Sequence, residues 1–423
     1  MEEDYRQTET ESSLEPSGRR EPRRTRHRRR FRFTRKHALL VAAAGVAGYF
    51  LRTDSIAREA APVEVAERPP PPPPSSPATH SSRERLWIAP DELKSLSMSG
   101  SAWEAMLAVA EGDLGQADVA DQDSTHDTNT LACALAAART GSAELHGKAM
   151  DAITSAIGTE EGARWLAIGR NLGSYVIAAD VLGVRSGPIY EWLAGFLTRT
   201  LTANNTDEQV VADNWSSGSN ASAQMGFVTA ALCVYTNEST RLASSWEGYR
   251  RYCGDRTSPV VEVSNSDVWQ LVPSDPVGIQ DKGAAKTGCR LDGAIGNDMS
   301  RGGDNVCSPT WTQYPWVGLE GAVPAALVFA RAGYPAWEVA DAAIRRALDY
   351  LWFLRQTTGN SDWFDGTRSN ECVYLVNRAY GTTFPCSRPV AGGRTIGFSD
   401  WTHAPGGAAL RGAGGPSELT SLA

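Results

Sequence analysis

Three polar segments stand within an otherwise helix-forming sequence, and their side chains are of the types that perform acid–base chemistry. The segments are Asp213-Asn214-Trp215, Arg301-Gly302-Gly303 followed by Tyr314-Pro315-Trp316, and Asp400-Trp401-Thr402-His403. Together they contain an amide, a guanidinium, a phenol and an imidazole: Asn214, Arg301, Tyr314 and His403.

β-Elimination within an acidic polysaccharide needs groups of these kinds. The proton on C5 of a uronic acid leaves more easily once hydrogen bonds or a cation neutralise the neighbouring carboxylate, and a positioned base then takes the proton. Asparagine and arginine suit the first task, and tyrosine or histidine suits the second. For Tyr314 to act as the base, its pKa must lie well below the usual value of about 10, which requires Arg301 to lie close.

The sequence that must position these groups has helical periodicity. The apolar pattern predicts helices over residues 130–139, 143–157, 160–182, 188–201, 218–235, 239–252, 316–332 and 336–355. Gly333-Tyr334-Pro335 joins the last two as a helical hairpin. Repeated hairpins favour an all-α fold, either an incomplete (α/α) toroid or an irregular α-solenoid, and the lack of a fixed-period repeat favours the toroid.

Two long stretches lack this periodicity. Residues 254–315 and 357–403 are rich in glycine, proline and small polar residues, with aromatic landmarks that indicate order. Segments of this length inside a compact domain are commonly functional. We expect them to form irregular loops over a cleft.

With the polar segments in this order, the chain resembles the alginate lyase family of α/α-toroid polysaccharide lyases. The resemblance covers about residues 126–403 and rests on these motifs: Ile157-Gly158-Thr159-Glu160, Arg170-Asn171-Leu172-Gly173-Ser174-Tyr175, Asp213-Asn214-Trp215, Trp269-Gln270, Asp292-Gly293, Arg301-Gly302-Gly303, Tyr314-Pro315-Trp316 and Asp400-Trp401-Thr402-His403. It implies a toroid with a cleft over its helix ends. It also implies cleavage of a uronate-containing polysaccharide without a metal or organic cofactor.

The resemblance implies particular roles for the site residues. Asn214 and Arg301 neutralise the carboxylate, and Tyr314 protonates the leaving glycosidic oxygen. Well-known members have a histidine directly after this asparagine as the base, whereas here Trp215 stands in its place and cannot accept a proton. Either Tyr314 serves as both base and acid, or another histidine reaches in, with His403 the first candidate and His126 the second.

Other residues are candidates for binding the sugar. Their side chains offer hydrogen bonds or aromatic faces: Arg170, Asn171, Tyr175, His126, Trp215 and Trp269. Each catalytic candidate also has a structural interpretation. Asn214 could cap a helix, Arg301 could pair with Asp298 or Asp304, Tyr314 could pack as an aromatic residue, and His403 could be a buried structural histidine.

Two rival classes of function stay open at this point. A glycoside hydrolase on a similar scaffold needs two facing carboxylates, for which the candidates are Asp127, Asp213, Asp292 and Asp298. A non-catalytic glycan-binding protein is the other rival, because Trp215 replaces the histidine of the family and a fold alone does not establish an activity.

The first 84 residues predict export and tethering. Residues 1–37 form a basic cytoplasmic segment, residues 38–51 an apolar membrane anchor or signal segment, and residues 52–84 a proline-rich linker before the catalytic domain at 85–423. The apolar run of about 14 residues is nearer the length of a signal-peptide core than the roughly 20 residues of a membrane span. The basic run could instead bind nucleic acid.

The charge of the remaining chain argues against nucleic acid as a partner. Residues 1–37 contain 12 of the 41 Lys and Arg and 7 of the 49 Asp and Glu, so the rest carries 29 basic and 42 acidic groups, a net charge of −13. Nucleic-acid binding is driven by phosphate neutralisation. An acidic polysaccharide is also an anion, so a local basic cleft must overcome this field.

The seven cysteines predict disulfides rather than a zinc site. No pair has the C-x-x-C spacing of zinc ligands. In an oxidising compartment, Cys289 with Cys307 and Cys372 with Cys386 are expected local disulfides. Cys133 and Cys233 lie in alanine-rich helical patterns and are expected to be buried thiols.

Overall fold

The computed structural model describes residues 85–203, 207–210, 215, 217–261, 264, 266–364, 371–386 and 395–404, with the backbone alone described at 201–203 and 207–210. The predicted basic, apolar and proline-rich segments lie outside the described residues. The predicted all-α class is confirmed, since 13 α-helices account for most of the ordered structure in the described part. In this part of the chain, no helix is both long enough and apolar enough to span a membrane.

The first six α-helices are α1 (Pro90–Ser95), α2 (Ser101–Glu111), α3 (His126–Thr140), α4 (Ala143–Ala156), α5 (Trp165–Leu182) and α6 (Gly187–Gly195). The other seven are α7 (Asn220–Thr236), α8 (Ser239–Tyr252), α9 (Gly296–Met299), α10 (Tyr314–Arg331), α11 (Val339–Thr358), α12 (Cys372–Tyr380) and α13 (Ser399–Thr402). The described strands form two antiparallel hairpins: β1 (Thr200–Ala203) with β2 (Asp207–Val210), and β3 (Ala285–Lys286) with β4 (Cys289–Arg290).

Local sequence explains where the helices begin and end. Ser142 caps α4, because its hydroxyl accepts a hydrogen bond from the Leu145 amide at 3.2 Å. Gly141 and Gly183 follow α3 and α5 with φ of 73° and 77°, the left-handed conformation that ends a helix and that glycine adopts without strain. The hairpin predicted at 333–335 is confirmed between α10 and α11. The helix predicted over 188–201 ends early, at Gly195, and β1 follows.

Five helices of the described part form one contiguous layer. Helix α3 packs against α5, α5 against α7, α7 against α10, and α10 against α12. Helices α4, α8 and α11 each pack on the helix of this layer that precedes them.

Two glycines allow helices of this layer to approach each other closely. A Cβ on Gly173 would lie 2.3 Å from the Phe227 ring, and one on Gly321 would lie 2.3 Å from the carbonyl carbon of Ala223.

The segment 85–96 ties together the carboxyl-terminal ends of these helices. At the end of α3, Arg139 donates to the Leu96 carbonyl at 2.8 Å, and near the end of α5, Asp180 accepts from the Leu86 amide at 3.1 Å. Glu92 pairs with Arg331 at the end of α10 and lies 3.5 Å from Arg378 in the last turn of α12.

Helix α7 has the same direction as these helices. Near its end, the hydroxyl of Tyr235 donates to the carbonyl of Val184, just past α5, at 2.7 Å. The five helices of the layer therefore point the same way. Their amino-terminal ends lie away from residues 85–96.

Candidate active site

Arg301 and Tyr314 come together at the amino-terminal end of α10. Tyr314 is the first residue of the helix and its side chain is half-buried, while Arg301 lies in a short 3₁₀ turn, Ser300–Gly302, and is exposed. The guanidinium carbon lies 5.4 Å from the centre of the phenol ring. A cation and a proton-carrying group thus stand side by side at the surface, which is the proximity that the sequence-based hypothesis requires.

The residues just before Arg301 hold the start of α7. Asp298 Oδ1 accepts hydrogen bonds from the Asn220 amide nitrogen at 3.1 Å and from Asn220 Nδ2 at 2.9 Å. Asn297 Nδ2 donates to the Ser217 carbonyl at 2.6 Å. These bonds hold Ser217 and the start of α7 against the segment that carries Arg301.

Asp298 is buried in a confined space. Its side chain is 1% exposed, and a Cβ built on Gly318 of α10 would lie 2.5 Å from Asp298 Oδ2 and 2.9 Å from the Tyr252 hydroxyl. Burial raises the pKa of Asp298 to about 7, although the hydrogen bonds from Asn220 and the positive charge of Arg301 act in the opposite direction. The Asp298 carboxyl therefore changes charge near neutral pH.

The loop that carries Arg301 is anchored on both sides. The predicted disulfide between Cys289 and Cys307 is confirmed, and it closes a loop that contains Asp298 and Arg301. Trp269 Nε1 donates to the Gly303 carbonyl at 2.7 Å, and the Trp269 side chain is fully buried. The prediction that Trp269 stacks on a sugar is therefore wrong, because this indole packs in the core and fixes the loop.

The second disulfide predicted from the sequence is not formed. Cys372 and Cys386 both carry thiols, and burial raises the pKa of Cys372 well above its ordinary value. The prediction of buried thiols at Cys133 and Cys233 is confirmed.

Asn214 lies outside the described residues, so its role stays a prediction. Its alternative role as the cap of the following helix is wrong for α7. That helix starts at Asn220, and the hydroxyl of Ser219 accepts the capping hydrogen bond from the Ser222 amide.

Trp215 is a core residue and not a sugar platform. Its side chain is 4% exposed, its Nε1 donates to Ser245 Oγ at 3.0 Å, and its ring meets Tyr249 edge-on at 5.4 Å. The Trp215 side chain also covers Gly226 and Gly248, where a Cβ would lie 2.1 and 2.5 Å from its nearest atoms. The prediction that Trp215 binds substrate is corrected, because no face of the ring is open to a sugar.

His403 is also buried, at the wrong end of the molecule for catalysis with Tyr314. It has no exposed surface, its Nδ1 lies 2.8 Å from Thr402 Oγ1, and its ring packs edge-on against Trp87. Burial and the positive charges of Arg331 and Arg378 hold its pKa well below the ordinary value. Arg331 ends the 18-residue helix that Tyr314 begins, a length of about 27 Å. The prediction that His403 assists Tyr314 is therefore wrong.

Four further residues predicted to bind sugar make their polar contacts with other residues of the protein. Asn171 Nδ2 donates to the carbonyls of Val119 and Asp121 at 3.1 and 2.7 Å, and Arg170 lies 3.8 Å from Asp123. From α5, these two residues hold the 118–123 loop.

His126 and Tyr175 bond to each other. His126 Nδ1 and the Tyr175 hydroxyl are 2.7 Å apart, and burial lowers the pKa of His126 and raises that of Tyr175. Exposed fractions of 1–6% for all four (Arg170, Asn171, Tyr175 and His126) leave little surface for a sugar, so their assignment to substrate binding is corrected.

Among the described residues, the carboxylates proposed for a hydrolase do not form an open pair. Asp127 is 1% exposed, and burial raises its pKa well above the ordinary range. Asp292 bonds to Arg346 and to the Gly283 amide, each at 2.8 Å. Asp298 is bound to Asn220, and Asp213 lies outside the described residues.

Sequence reasoning missed Asn220 and Asn297, and it assigned Asp298 only as an ion-pair partner of Arg301 or as a candidate carboxylate of a hydrolase. Asn297 and Asp298 lie four and three residues before Arg301. This spacing was a usable signal, because it places all three residues on the same short helical stretch. The partner, Asn220, is distant in sequence and could not be identified without the fold.

Comparison with models of known protein families, with curated proteins and with solved structures gives no significant match to this chain. The likeness to alginate lyases therefore rests on the sequence motifs quoted above.

Proposed function

We propose that this protein is a polysaccharide lyase that cleaves a uronate-containing, alginate-like polysaccharide by β-elimination. The observation that carries the proposal is the 5.4 Å separation between the Arg301 guanidinium carbon and the centre of the Tyr314 ring. Arginine is suited to binding a carboxylate with two parallel hydrogen bonds. Its position beside a half-exposed phenol brings the carboxylate-neutralising group and the proton-transfer group to one place.

The proposed reaction uses these two side chains on one face of the sugar. Arg301, with Asn214, neutralises the uronate carboxylate, which lowers the cost of the negative charge that develops when C5 loses its proton. Tyr314, as its phenolate, takes that proton as the C4–O bond breaks and the C4–C5 double bond forms. The phenol then gives a proton to the leaving glycosidic oxygen, so that atoms and charges balance without a second base.

The helix arrangement supports an incomplete (α/α) toroid as the architecture around this site. Consecutive layer helices share one direction, and their carboxyl-terminal ends are tied by residues 85–96. The opposite, amino-terminal ends carry partial positive charge. In this proposal that charge, together with Arg301, attracts a polyanion despite the negative net charge of the chain.

The proposal includes export from the cytoplasm. Basic, apolar and proline-rich segments precede the helical domain, in the order of a membrane tether or signal followed by a linker. The Cys289–Cys307 disulfide is of the kind that persists in oxidising compartments. We place the catalytic domain in the periplasm or outside the cell.

The test is incubation of the full chain with a panel of polyuronates while two products are measured. β-Elimination creates an unsaturated uronate that absorbs ultraviolet light, and hydrolysis creates reducing ends without that chromophore. We expect ultraviolet absorbance to rise with one polymer. New reducing ends without absorbance would contradict the lyase, and binding without either product would favour a non-catalytic glycan-binding protein.

A further inference from the structure

We propose that Trp311 is a further substrate-binding residue of this site, on whose ring a sugar of the uronate polymer stacks beside the Arg301–Tyr314 pair. The inference deepens the proposed function and rests on it for the class of ligand. It concerns binding and not proton transfer, so it can be tested whether or not the polymer is cleaved.

Burial separates Trp311 from nearly all the other tryptophans. Of the 13 tryptophans in the chain, all but three are buried, and the three that are partly exposed are Trp165, Trp311 and Trp352. A tryptophan can offer its ring to a ligand only where part of the side chain reaches the surface. The choice of a sugar platform therefore falls on these three residues.

Backbone contacts place Trp311 at the turn that carries Arg301. Gly302 directly follows Arg301 in this turn. A Cβ built on Gly302 would lie 2.2 Å from the Thr310 carbonyl oxygen and 3.6 Å from Thr312 Cγ2. The residues on both sides of Trp311 thus touch the turn, and Trp311 lies between them.

The same segment leads directly into α10. Trp311 precedes Tyr314 by three positions, so their Cα atoms are at most about 11 Å apart. The Thr312 hydroxyl accepts a hydrogen bond from the Tyr314 amide at 3.5 Å, which holds the chain between them. Thr310 and Gln313 of this segment are exposed. Neighbouring sugars of one polymer can therefore contact Trp311 and Tyr314 together.

The exposed part of Trp311 is suited to an apolar sugar face. Its Nε1 atom is buried and has no hydrogen-bond partner in the described part of the chain, so the surface that the residue presents does not include this polar atom. A pyranose ring has a face of C–H groups, which packs against the electron-rich face of an indole. Ligand sites combine such aromatic surfaces with a few polar groups that fix orientation. Arg301 and Tyr314 are the polar groups of this site.

The other two partly exposed tryptophans are less suited to the site. Trp352 lies within α11, where the Arg355 guanidinium carbon is 4.7 Å from the centre of its ring and Phe364 meets the ring edge-on at 5.1 Å. Trp165 begins α5, and no contact among the described residues joins it to the Arg301 turn. Trp352 is therefore a control of the same residue type and similar exposure.

The first test follows indole N–H signals by NMR in the full chain with ¹⁵N-labelled tryptophan. Tyr314→Phe is the background, so that the ligand is not cleaved, and Trp311→Phe and Trp352→Phe assign the two signals. The ligands are oligosaccharides of mannuronate, guluronate and glucuronate, added separately. We expect the Trp311 signal to shift with at least one of them, while the Trp352 signal stays in place.

The second test measures the affinity for the oligosaccharide that binds. In the same background, Trp311→Ala should weaken binding by about tenfold, the usual scale for truncating an aromatic anchor. Trp311→Phe retains an aromatic face, so its affinity should stay within about threefold of that with tryptophan. Trp352→Ala should bind as the background does. Thermal unfolding of each variant separates a loss of affinity from a loss of folding.

Three results would overturn the proposal. The first is a Trp311 signal that does not move with an oligosaccharide that binds, the second is equal affinity of Trp311→Ala and its background, and the third is no binding of any of the oligosaccharides. If Trp311→Ala does not fold, the shift of the Trp311 signal decides alone.

Turnover distinguishes this inference from the proposed function. In the chain that retains Tyr314, Trp311→Ala should lower kcat/KM by about the same tenfold, mainly through KM, because stacking holds the substrate and the transition state alike. Cleavage with an unchanged KM would overturn the role of Trp311 and leave the lyase unaffected. Binding that depends on Trp311 without any cleavage would support its role and contradict the lyase.

Discussion

His403 and Tyr314 lie at opposite ends of helix α10. Tyr314 begins the helix, and His403 lies within electrostatic reach of Arg331, which ends it. The 18 residues between these ends span about 27 Å. A proton cannot pass directly between the two side chains, and in the proposed reaction Tyr314 acts as both base and acid.

Replacing His403 should therefore lower the stability of the fold and leave kcat unchanged. His403→Ala empties a site with no exposed surface beside Trp87, which should cost about 2–4 kcal/mol of unfolding free energy. Chemical denaturation and kcat should be measured together, with His146→Ala as the control, because His146 is an exposed residue of α4. A large fall in kcat with unchanged stability would return His403 to the mechanism.

Gly226 should not tolerate alanine, because the new methyl group would enter the Trp215 ring. A Cβ there would lie 2.1 Å from Trp215 Cε2. We expect Gly226→Ala to lose about 1–3 kcal/mol of unfolding free energy. Gly147 of α4 is the matched control, because its Cβ would meet nothing within 4 Å. Gly147→Ala should be neutral or stabilising by up to about 1 kcal/mol, and equal effects at the two sites would contradict the burial of Trp215.

Opening the Cys289–Cys307 disulfide should weaken the site that it encloses. The two cysteines are 18 residues apart and flank Asp298 and Arg301. Loss of the cross-link should cost about 3 kcal/mol and lower activity, because the Arg301 turn loses an anchor. The double change to serine should be compared with Cys386→Ser in thermal unfolding and in kcat/KM. An active, equally stable double variant would show that the loop needs no cross-link.

Glu371 should make the protein less stable as pH rises. Burial, followed by the negative charges of Asp400 and Glu320, raises its pKa well above the ordinary value. Since the folded-state pKa exceeds the unfolded value, the contribution of Glu371 to the unfolding free energy is fully present below about pH 4.5. It is then lost by up to about 1.4 kcal/mol per pH unit as pH rises to the folded-state pKa.

Glu371→Gln removes this titration while it retains an acceptor for the Ser399 hydroxyl, at 3.0 Å in the native protein. Unfolding free energies measured across this pH range should fall less steeply for Glu371→Gln than for the native chain. Exposed Glu104→Gln serves as the control and should run parallel to the native curve. Parallel curves for all three proteins would refute the role of Glu371.

Much of the helical fold could be predicted from local sequence. The pattern over 239–252 matches α8, and Gly-Tyr-Pro at 333–335 correctly marks the turn between α10 and α11. These features depend on periodicity and turn chemistry, which are local. The early end of α6 was missed because residues 196–201 continue an apolar pattern although the chain turns into a β-hairpin.

The site was only partly predictable, for reasons of tertiary burial. Arg301 and Tyr314 are separated by 13 positions and could be paired from residue type and order. Trp215, Trp269 and His403 have the chemistry of sugar-binding or catalytic residues, but their burial depends on partners far along the chain, such as Ser245, Gly303 and Trp87. Residue type alone cannot distinguish an exposed indole or imidazole from a packed one.

The most direct test of the proposed mechanism is the turnover of Tyr314→Phe on the polyuronate that the native chain cleaves. Ultraviolet absorbance of the unsaturated product gives the rate, and circular dichroism with a substrate-binding isotherm gives the state of the fold and the affinity. We expect Tyr314→Phe to fold and bind nearly as the native chain does but to form no measurable product, because only the hydroxyl is removed. Near-native turnover by this variant would contradict the assignment of Tyr314 as the proton-transfer residue.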